Sequence, residues 1–269
     1  MDATFDTIVA SRPATFKAQA ARSYKACSRD ERPSLIATIE SKKNEQICGI
    51  IAEIKKKSPS HGPFSITNVV ERARVYDAAG VQGISVLTEP SHFNGSFDDL
   101  QSVVNSTMVP VLCKDFVITR KQLELANQLG ASAVLMIVKI RSSLSLIKSC
   151  LGLGMEPLLE IHDQEDLDTV APIVKADPRV RLVGINNRDL ATMEIDLGTS
   201  DRLIPEARDA LGEDTIIISE SGIETTSDVQ RLVKAGADAI LIGTMFMERP
   251  VQDVNALIQE LRTVCVQGA

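Results

Sequence analysis

Eight short apolar runs recur along the chain, and their spacing limits the fold more than any other feature. They are GIIAEI (49–54), GISVL (83–87), VPVLC (109–113), AVLMIV (133–138), PLLEI (157–161), RLVGIN (181–186), TIIIS (215–219) and DAILIG (238–243). Each has the length of a strand and lacks the polar alternation of a half-exposed sheet, as parallel strands buried on both faces do. Their starts lie roughly 23 to 34 residues apart, room for one strand, one helix and two loops. Helical faces fill the gaps: Val69, Val70, Ala73 and 76–79 make one, and Leu123, Leu125, Ala126 and Leu129 another. Gly80, Gly130 and Gly236 each follow such a pattern, where a left-handed cap suits glycine. A weak repeat of helix end, glycine and strand appears in AGVQGISVLT (79–88), LGASAVLMIV (129–138) and AGADAILIGT (235–244). Eight iterated units predict an α/β fold, a closed (β/α)8 TIM barrel. An open doubly wound sheet would carry a Gly-rich turn after its first strand, and here that strand runs into Lys55-Lys56-Lys57-Ser58-Pro59-Ser60. Helix-like stretches at 16–27 and 34–41 precede the first strand. Residues 1–48 are therefore expected to form an N-terminal helical extension packed on a single barrel domain spanning 1–269.

Composition narrows the function classes. The net charge of −7 and pI near 5.1 give an average field that repels nucleic acid and anionic membranes, so neither is expected as a partner. Tryptophan is absent and aromatics reach 3%, which leaves little material for base stacking or an aromatic lipid belt. Five scattered cysteines, odd in number and without a Cys-x-x-Cys pair, read as reduced thiols. With neither a signal-like start nor a membrane-length apolar run, the expected compartment is the cytoplasm.

In a (β/α)8 barrel the chemistry sits at the C-terminal ends of the strands. Those ends carry Glu53 and Lys55 (strand one), Lys114 (three), Glu160 (five), Asn186 and Arg188 (six), and Glu220 and Ser221 (seven). Strand alternation puts Glu53 and Lys55 on one face and turns Ile54 toward the helices. The bland alternative for any one of these charges is a structural ion pair. Two lysines and three glutamates converging on one mouth favour function, because a mixed set pulls neighbouring pKa values apart and supplies both acid and base. After the last two strands, ESGI (220–223) and IGTMF (242–246) place small residues where backbone N–H groups can approach an anion. Ser221, Gly222, Gly243 and Thr244 are the expected phosphate cradle.

The segments IIAEIKKKSPS (50–60), SVLTEPSHFNGS (85–96), PVLCKDF (110–116), GINNRDL (184–190) and SESGI (219–223) resemble the indole-3-glycerol phosphate synthase family of tryptophan biosynthesis from about residue 5 onward. That resemblance implies a carboxy-lyase acting on 1-(2-carboxyphenylamino)-1-deoxyribulose 5-phosphate, with no cofactor and no metal. It also leaves room for contact with other enzymes of the tryptophan pathway. By motif match Lys114 is the acid for ring closure, Lys55 holds substrate and serves dehydration, and Glu160 is the base, with Glu53 in support. Asn186 and Arg188 fix hydroxyl and carboxylate groups, and Glu220 orients its polar neighbours. Phe93 and Phe116 face the anthranilate ring with Leu241 near it, and Ser58 completes the phosphate site in a loop expected to close over substrate. The departures from the family pattern are Asn94, Thr244, the neighbours of Glu160, and Lys139, an extra charge without an assigned role.

Other features read blandly. His61, His92 and His162 lack metal-ligand spacing and are expected at the solvated surface. Cys113 is expected to pack toward the helices, and Lys56 and Lys57 to form a solvated loop. Two rivals remain: a Schiff-base aldolase or decarboxylase, which borohydride would trap, and a non-catalytic phospholigand-binding paralogue. Retention of Glu53, Lys55, Lys114, Glu160 and Asn186 speaks against the second.

Overall fold

The computed structural model describes residues 4–27, 31–59, 61–65 and 68–266. Ser60, the last residue of the first family-like motif, lies outside the described residues.

The eight apolar runs become eight parallel strands: β1 (Gly49–Ile54), β2 (Gly83–Leu87), β3 (Val111–Lys114), β4 (Ala133–Ile137), β5 (Glu156–Ile161), β6 (Leu182–Asn186), β7 (Ile216–Glu220) and β8 (Ala239–Ile242). Each pairs with its sequence neighbours, and β8 closes on β1 through pairs such as Ile51 with Leu241. Closure leaves no sheet edge, and with the helices outside and the packed interior inside the strands are buried on both faces and mainly apolar up to their C-terminal ends. Helices α3 (Val69–Ala78), α5 (Phe97–Val104), α6 (Arg120–Gln128), α7 (Arg141–Gly152), α8 (Gln164–Ala176), α9 (Gly198–Leu211), α10 (Thr226–Ala235) and α12 (Val251–Val264) surround the barrel. Two short helices, α4 (Pro90–Phe93) and α11 (Thr244–Met247), follow β2 and β8. The three glycines read as caps all hold positive φ, at +77°, +86° and +98°.

Side-chain alternation splits the core in two. Ile54, Val86, Cys113 and Ile185 face outward onto the helices with Tyr76, Leu123 and Phe246. Ile51, Leu112, Leu135, Leu158, Leu182, Ile216, Ile218 and Leu241 fill the barrel interior. The N-terminal helix α2 (Leu35–Asn44) closes the bottom of that interior with Leu35 and Ile39, both fully buried. Gly83 makes room for this plug: a Cβ there would lie 2.6 Å from Leu35 Cδ1. Burying two such side chains contributes about 1.5–3 kcal/mol each.

Helix α1 (Phe5–Ala20) corrects the expected start at residue 16. Proline discourages a helix interior, yet α1 begins at a Thr4–Thr7 capping box and runs through Pro13, which faces solvent while Ile8, Arg12, Phe16 and Gln19 turn inward. Arg12 holds α1 to the loop after β3, with Nε and Nη2 each 2.6 Å from the Asp115 carboxylate, both side chains buried. The lysine run after β1 also departs from expectation. Lys56 is half-buried and pairs with Asp99 at 2.7 Å, and Lys57 joins a two-residue antiparallel ladder with 62–63.

Candidate active site

The strand ends converge as alternation requires. Glu53, 5% exposed, stands between two lysines, with Lys55 Nζ 3.1 Å from Oε1 and Lys114 Nζ 3.5 Å from Oε2. Lys114 also contacts Glu220 Oε2 at 2.6 Å. Two glycines create the space for these groups. A Cβ on Gly184 would lie 2.1 Å from Glu220 Oε1, and one on Gly243 would lie 2.5 Å from Glu53 Oε1. Gly243, expected only as part of an anion cradle, therefore also accommodates the Glu53–Lys55 pair.

Burial and neighbouring charge pull the acids apart. Burial alone raises the Glu53 carboxyl, but the Lys55 and Lys114 charges outweigh it and hold it below the usual carboxylate range. Glu220 goes the other way. It is fully buried and faces the Glu160 and Glu53 charges, and despite Lys114 it is pushed up to about 7. Its Oε1 has no hydrogen-bond partner among the described residues, in keeping with a carboxyl poorly prepared to stay ionised. Lys114 is opposed by burial, yet Glu220, Glu53 and Glu160 raise it well above an ordinary lysine, so it is a cation. Glu160 is raised by burial and lowered more by His162, Lys114 and a hydrogen bond from Asn186, ending below its ordinary value. The Arg188 guanidinium is lowered by burial, partly offset by Glu53.

These groups border a cavity of about 110 Å³. Glu53, Lys55, Lys114, Glu160, Asn186 and Arg188 meet there with Ser58, Phe93 and Phe116, and the apolar wall is completed by Phe5, Ile8, Leu87, Leu135, Ile137 and Leu190. The Phe93 and Phe116 rings sit 6.1 Å apart. Phe93 is positioned by Glu89, fully buried, whose carboxylate accepts from the N–H groups of Ser91, His92 and Phe93. Asn94 ends that short helix at φ +53°, a left-handed position that asparagine tolerates. Glu220 stands behind this cavity, touching it through Lys114. A second cavity of about 470 Å³ adjoins the first and shares Lys55, Lys114 and Arg188 with it. It is lined by Ser221, Gly222, Gly243, Thr244 and Leu241. Ser221 and Gly222 hold consecutive positive φ values of +68° and +79°. Asn187 ties this bend to β7, its Nδ2 donating to Ser219 Oγ, Glu220 O and Ser221 O.

Two expected residues lie elsewhere than anticipated. Ser58 borders the aromatic cavity and not the small-residue one, its Oγ accepting from His61 N at 3.2 Å. Leu241 lies inside the barrel and borders the small-residue cavity and not the aromatic one. Sequence reading missed Phe5 and Ile8, whose i, i+3 spacing before Pro13 carried the signal. It also misread His162, which is 9% exposed and buried between Glu160 and Asp166. Lys139, left without a role, pairs with Asp163 at 2.6 Å and Asp166 at 3.3 Å.

Fold and site together define a (β/α)8-barrel protein with convergent acid and base groups at its strand ends and a small-residue cradle beside them. The model of the family described as Indole-3-glycerol phosphate synthase matches residues 5–261, and the chain belongs to that family. Relatives carrying that name include one from Listeria monocytogenes, 41% identical over 219 residues, covering 80% of this chain and 83% of the relative. One from Exiguobacterium sp. is 41% identical over 223 residues, covering 81% and 83%. One from Acaryochloris marina is 42% identical over 199 residues, covering 72% and 64%. Among solved structures, a tryptophan synthase chain from M. tuberculosis superposes with a TM-score of 0.62 at 10% identity, over 87% of this chain and 99% of that one. That last likeness is one of fold. No helix among the described residues is long and apolar enough to cross a membrane.

Proposed function

We propose that this single-domain barrel, with residues 1–48 as its helical extension, closes the indole ring of 1-(2-carboxyphenylamino)-1-deoxyribulose 5-phosphate. The products are indole-3-glycerol phosphate, carbon dioxide and water. The observation that carries the reading is the adjacency of an aromatic-lined cavity and a small-residue cradle, with Glu53, Lys55 and Lys114 bordering both and Glu160 bordering the first. A substrate with an aromatic acid at one end and a phosphate at the other matches that layout.

Phe93 and Phe116 flank the anthranilate ring, and Arg188 meets its carboxylate through a guanidinium fork. Backbone N–H groups around Ser221, Gly222, Gly243 and Thr244 meet the phosphate. Lys114, a cation beside Glu220 and Glu53, donates its proton to the ribulose carbonyl oxygen as the ring carbon attacks it. Loss of carbon dioxide leaves its electron pair in the ring system. Lys55 then protonates the departing hydroxyl on the former carbonyl carbon, and Glu160 takes a proton from the adjacent C1′ carbon, so that water leaves and the double bond of the five-membered ring forms. Ser58 and Asn186 hold the chain hydroxyls from the aromatic cavity.

The five free cysteines, four of them buried, fit a reducing cytoplasm. The absence of tryptophan makes the test direct, because a fluorescent indole product appears against a protein without indole emission. Purified protein incubated with the substrate in the presence of a chelator should give rising indole emission with matching carbon dioxide. Folded, ligand-binding protein that gives neither would overturn the reading in favour of a non-catalytic paralogue.

A further inference from the structure

Glu160 is the proposed base, and the feature beside it that the mechanism leaves unused is a buried histidine. His162 follows β5 directly, two residues beyond Glu160. Its Nδ1 is hydrogen-bonded to Asp166 Oδ2 at 3.3 Å, and its Nε2 lies 3.3 Å from Glu160 Oε1 as a charge contact without hydrogen-bond geometry. All three side chains are buried, with side-chain exposures of 5%, 2% and 7%. One imidazole thus stands between two carboxylates, and it presents a proton to each of them only when both ring nitrogens are protonated.

Asp166 is itself held firmly. It occupies the first turn of α8, where its N–H donates to Asp163 Oδ1 at 2.9 Å. Its Oδ2 accepts from the His162 backbone N–H at 2.9 Å, and its Oδ1 lies 3.3 Å from Lys139 Nζ. The same lysine anchors Asp163 at 2.6 Å. Lys139, Asp163 and Asp166 therefore form a rigid outer bracket that fixes the imidazole, which explains the charge after β4 that the sequence left unassigned. The groups facing His162 are Glu160 from β5, Asp163 and Asp166 from α8, Lys139 after β4, and Arg188 and Asp189 after β6. His162 borders an outer cavity of about 990 Å³ with Lys139, Asp163, Arg188 and Asp189, whereas Glu160 borders the inner, aromatic one.

We propose that His162 is a positioning residue: a doubly protonated imidazole, braced by Asp166 and Lys139, that holds the Glu160 carboxylate ionised and aimed into the inner cavity. The inference rests on the reading of Glu160 as the base. Burial opposes the imidazolium, but the two flanking carboxylates prevail and push it up to about 9, so the cation persists through neutral pH. The same pair works in reverse on Glu160. Burial would raise its carboxyl, and His162 leads the group of neighbours that reverse this.

The test uses the full chain and reads Glu160 directly, by 13C NMR of a glutamate-carboxyl-labelled sample, together with kcat/KM against pH. In His162→Gln the amide can still donate toward Glu160 but carries no charge. Glu160 should then titrate about one pH unit or more higher, and the acidic limb of kcat/KM should move up with it while KM changes less than about threefold. Asp166→Asn, which leaves the imidazole in place and removes its outer anion, should move both in the same direction by less, and serves if the first variant does not fold. A Glu160 titration unmoved in the folded variant, or a rate loss uniform across pH, overturns the proposal. If the wild type makes no indole product, the synthase reading falls, and the Glu160 titration still decides whether His162 holds that carboxylate ionised.

Discussion

The two ends of this barrel both bury carboxylates and treat them in opposite ways. At the bottom, Asp238 is 2% exposed and saturated: Arg208 Nη2 lies 2.5 Å away, Ile217 N–H donates at 2.8 Å, and Lys43 Nζ lies 3.1 Å away. Glu156 nearby accepts from the N–H groups of Leu35 and Ile36 at 2.8 and 3.1 Å and from Ser34 Oγ, and so holds the start of α2 against the barrel. At the top, Glu53 is divided between two lysines, and Glu220 has one oxygen on Lys114 and the other without a partner among the described residues. A complete set of partners stabilises one geometry. An incomplete set leaves donors and acceptors for a substrate to engage, at a cost to stability that the apolar interior between the two ends can bear.

That contrast breaks most visibly at Lys114. Lys114→Ala should cut turnover by about 10³-fold or more while the circular dichroism spectrum and the urea midpoint stay near wild type. Near-normal turnover would mean that the top cluster is only structural. The bottom should respond in the opposite sense. Asp238→Ala strands Arg208 and should lower stability by on the order of 3 kcal/mol in urea unfolding, leaving kcat and KM per folded molecule unchanged. A drop in kcat per folded molecule would erase the distinction between the ends. Between these lies Thr244→Asp, which sets a carboxylate in the small-residue cavity. It should raise KM about tenfold through repulsion of the phosphate, with kcat little affected. An unchanged KM would move the phosphate away from the end of β8.

The contrast was partly legible before any coordinates. Periodicity alone reaches the eight strands, and strand alternation reaches the inward pairing of Glu53 with Lys55, because both depend on local geometry that the chain cannot avoid. The small residues after β7 and β8 are legible for the same reason, since their place in the barrel is set by strand count. What escaped depends on tertiary contact. Phe5 and Ile8 reach the aromatic cavity only because α1 continues through a solvent-facing Pro13. The burial of His162 depends on Asp166 folding back from the next helix, a contact invisible in a His-Asp-Gln-Glu-Asp string. Leu241 shows the converse: matching a motif puts it beside the aromatic rings, and it borders the adjoining small-residue cavity.

The smallest predicted effect, and the one that best separates the ends, is the pH dependence of stability. Glu220, raised from an ordinary carboxyl to about 7, binds more protons in the folded state. Its contribution is therefore lost as pH rises from about 4.5 to 7. His162, raised from 6.5 to about 9, contributes stability that is complete below 6.5 and lost as pH climbs through 9. Both groups sit at the top, and because the Glu220 contribution is spent by about pH 7, the His162 cation should make unfolding midpoints fall by on the order of a degree or more between pH 7 and 9. His162→Gln should flatten that alkaline slope, and Asp238→Ala, at the opposite end of the barrel from the imidazole, should leave it intact. Thermal melts of the three proteins at pH 6.5, 7.5 and 9 test this, and an alkaline slope that survives in His162→Gln would place its origin outside the Glu160–His162–Asp166 triad.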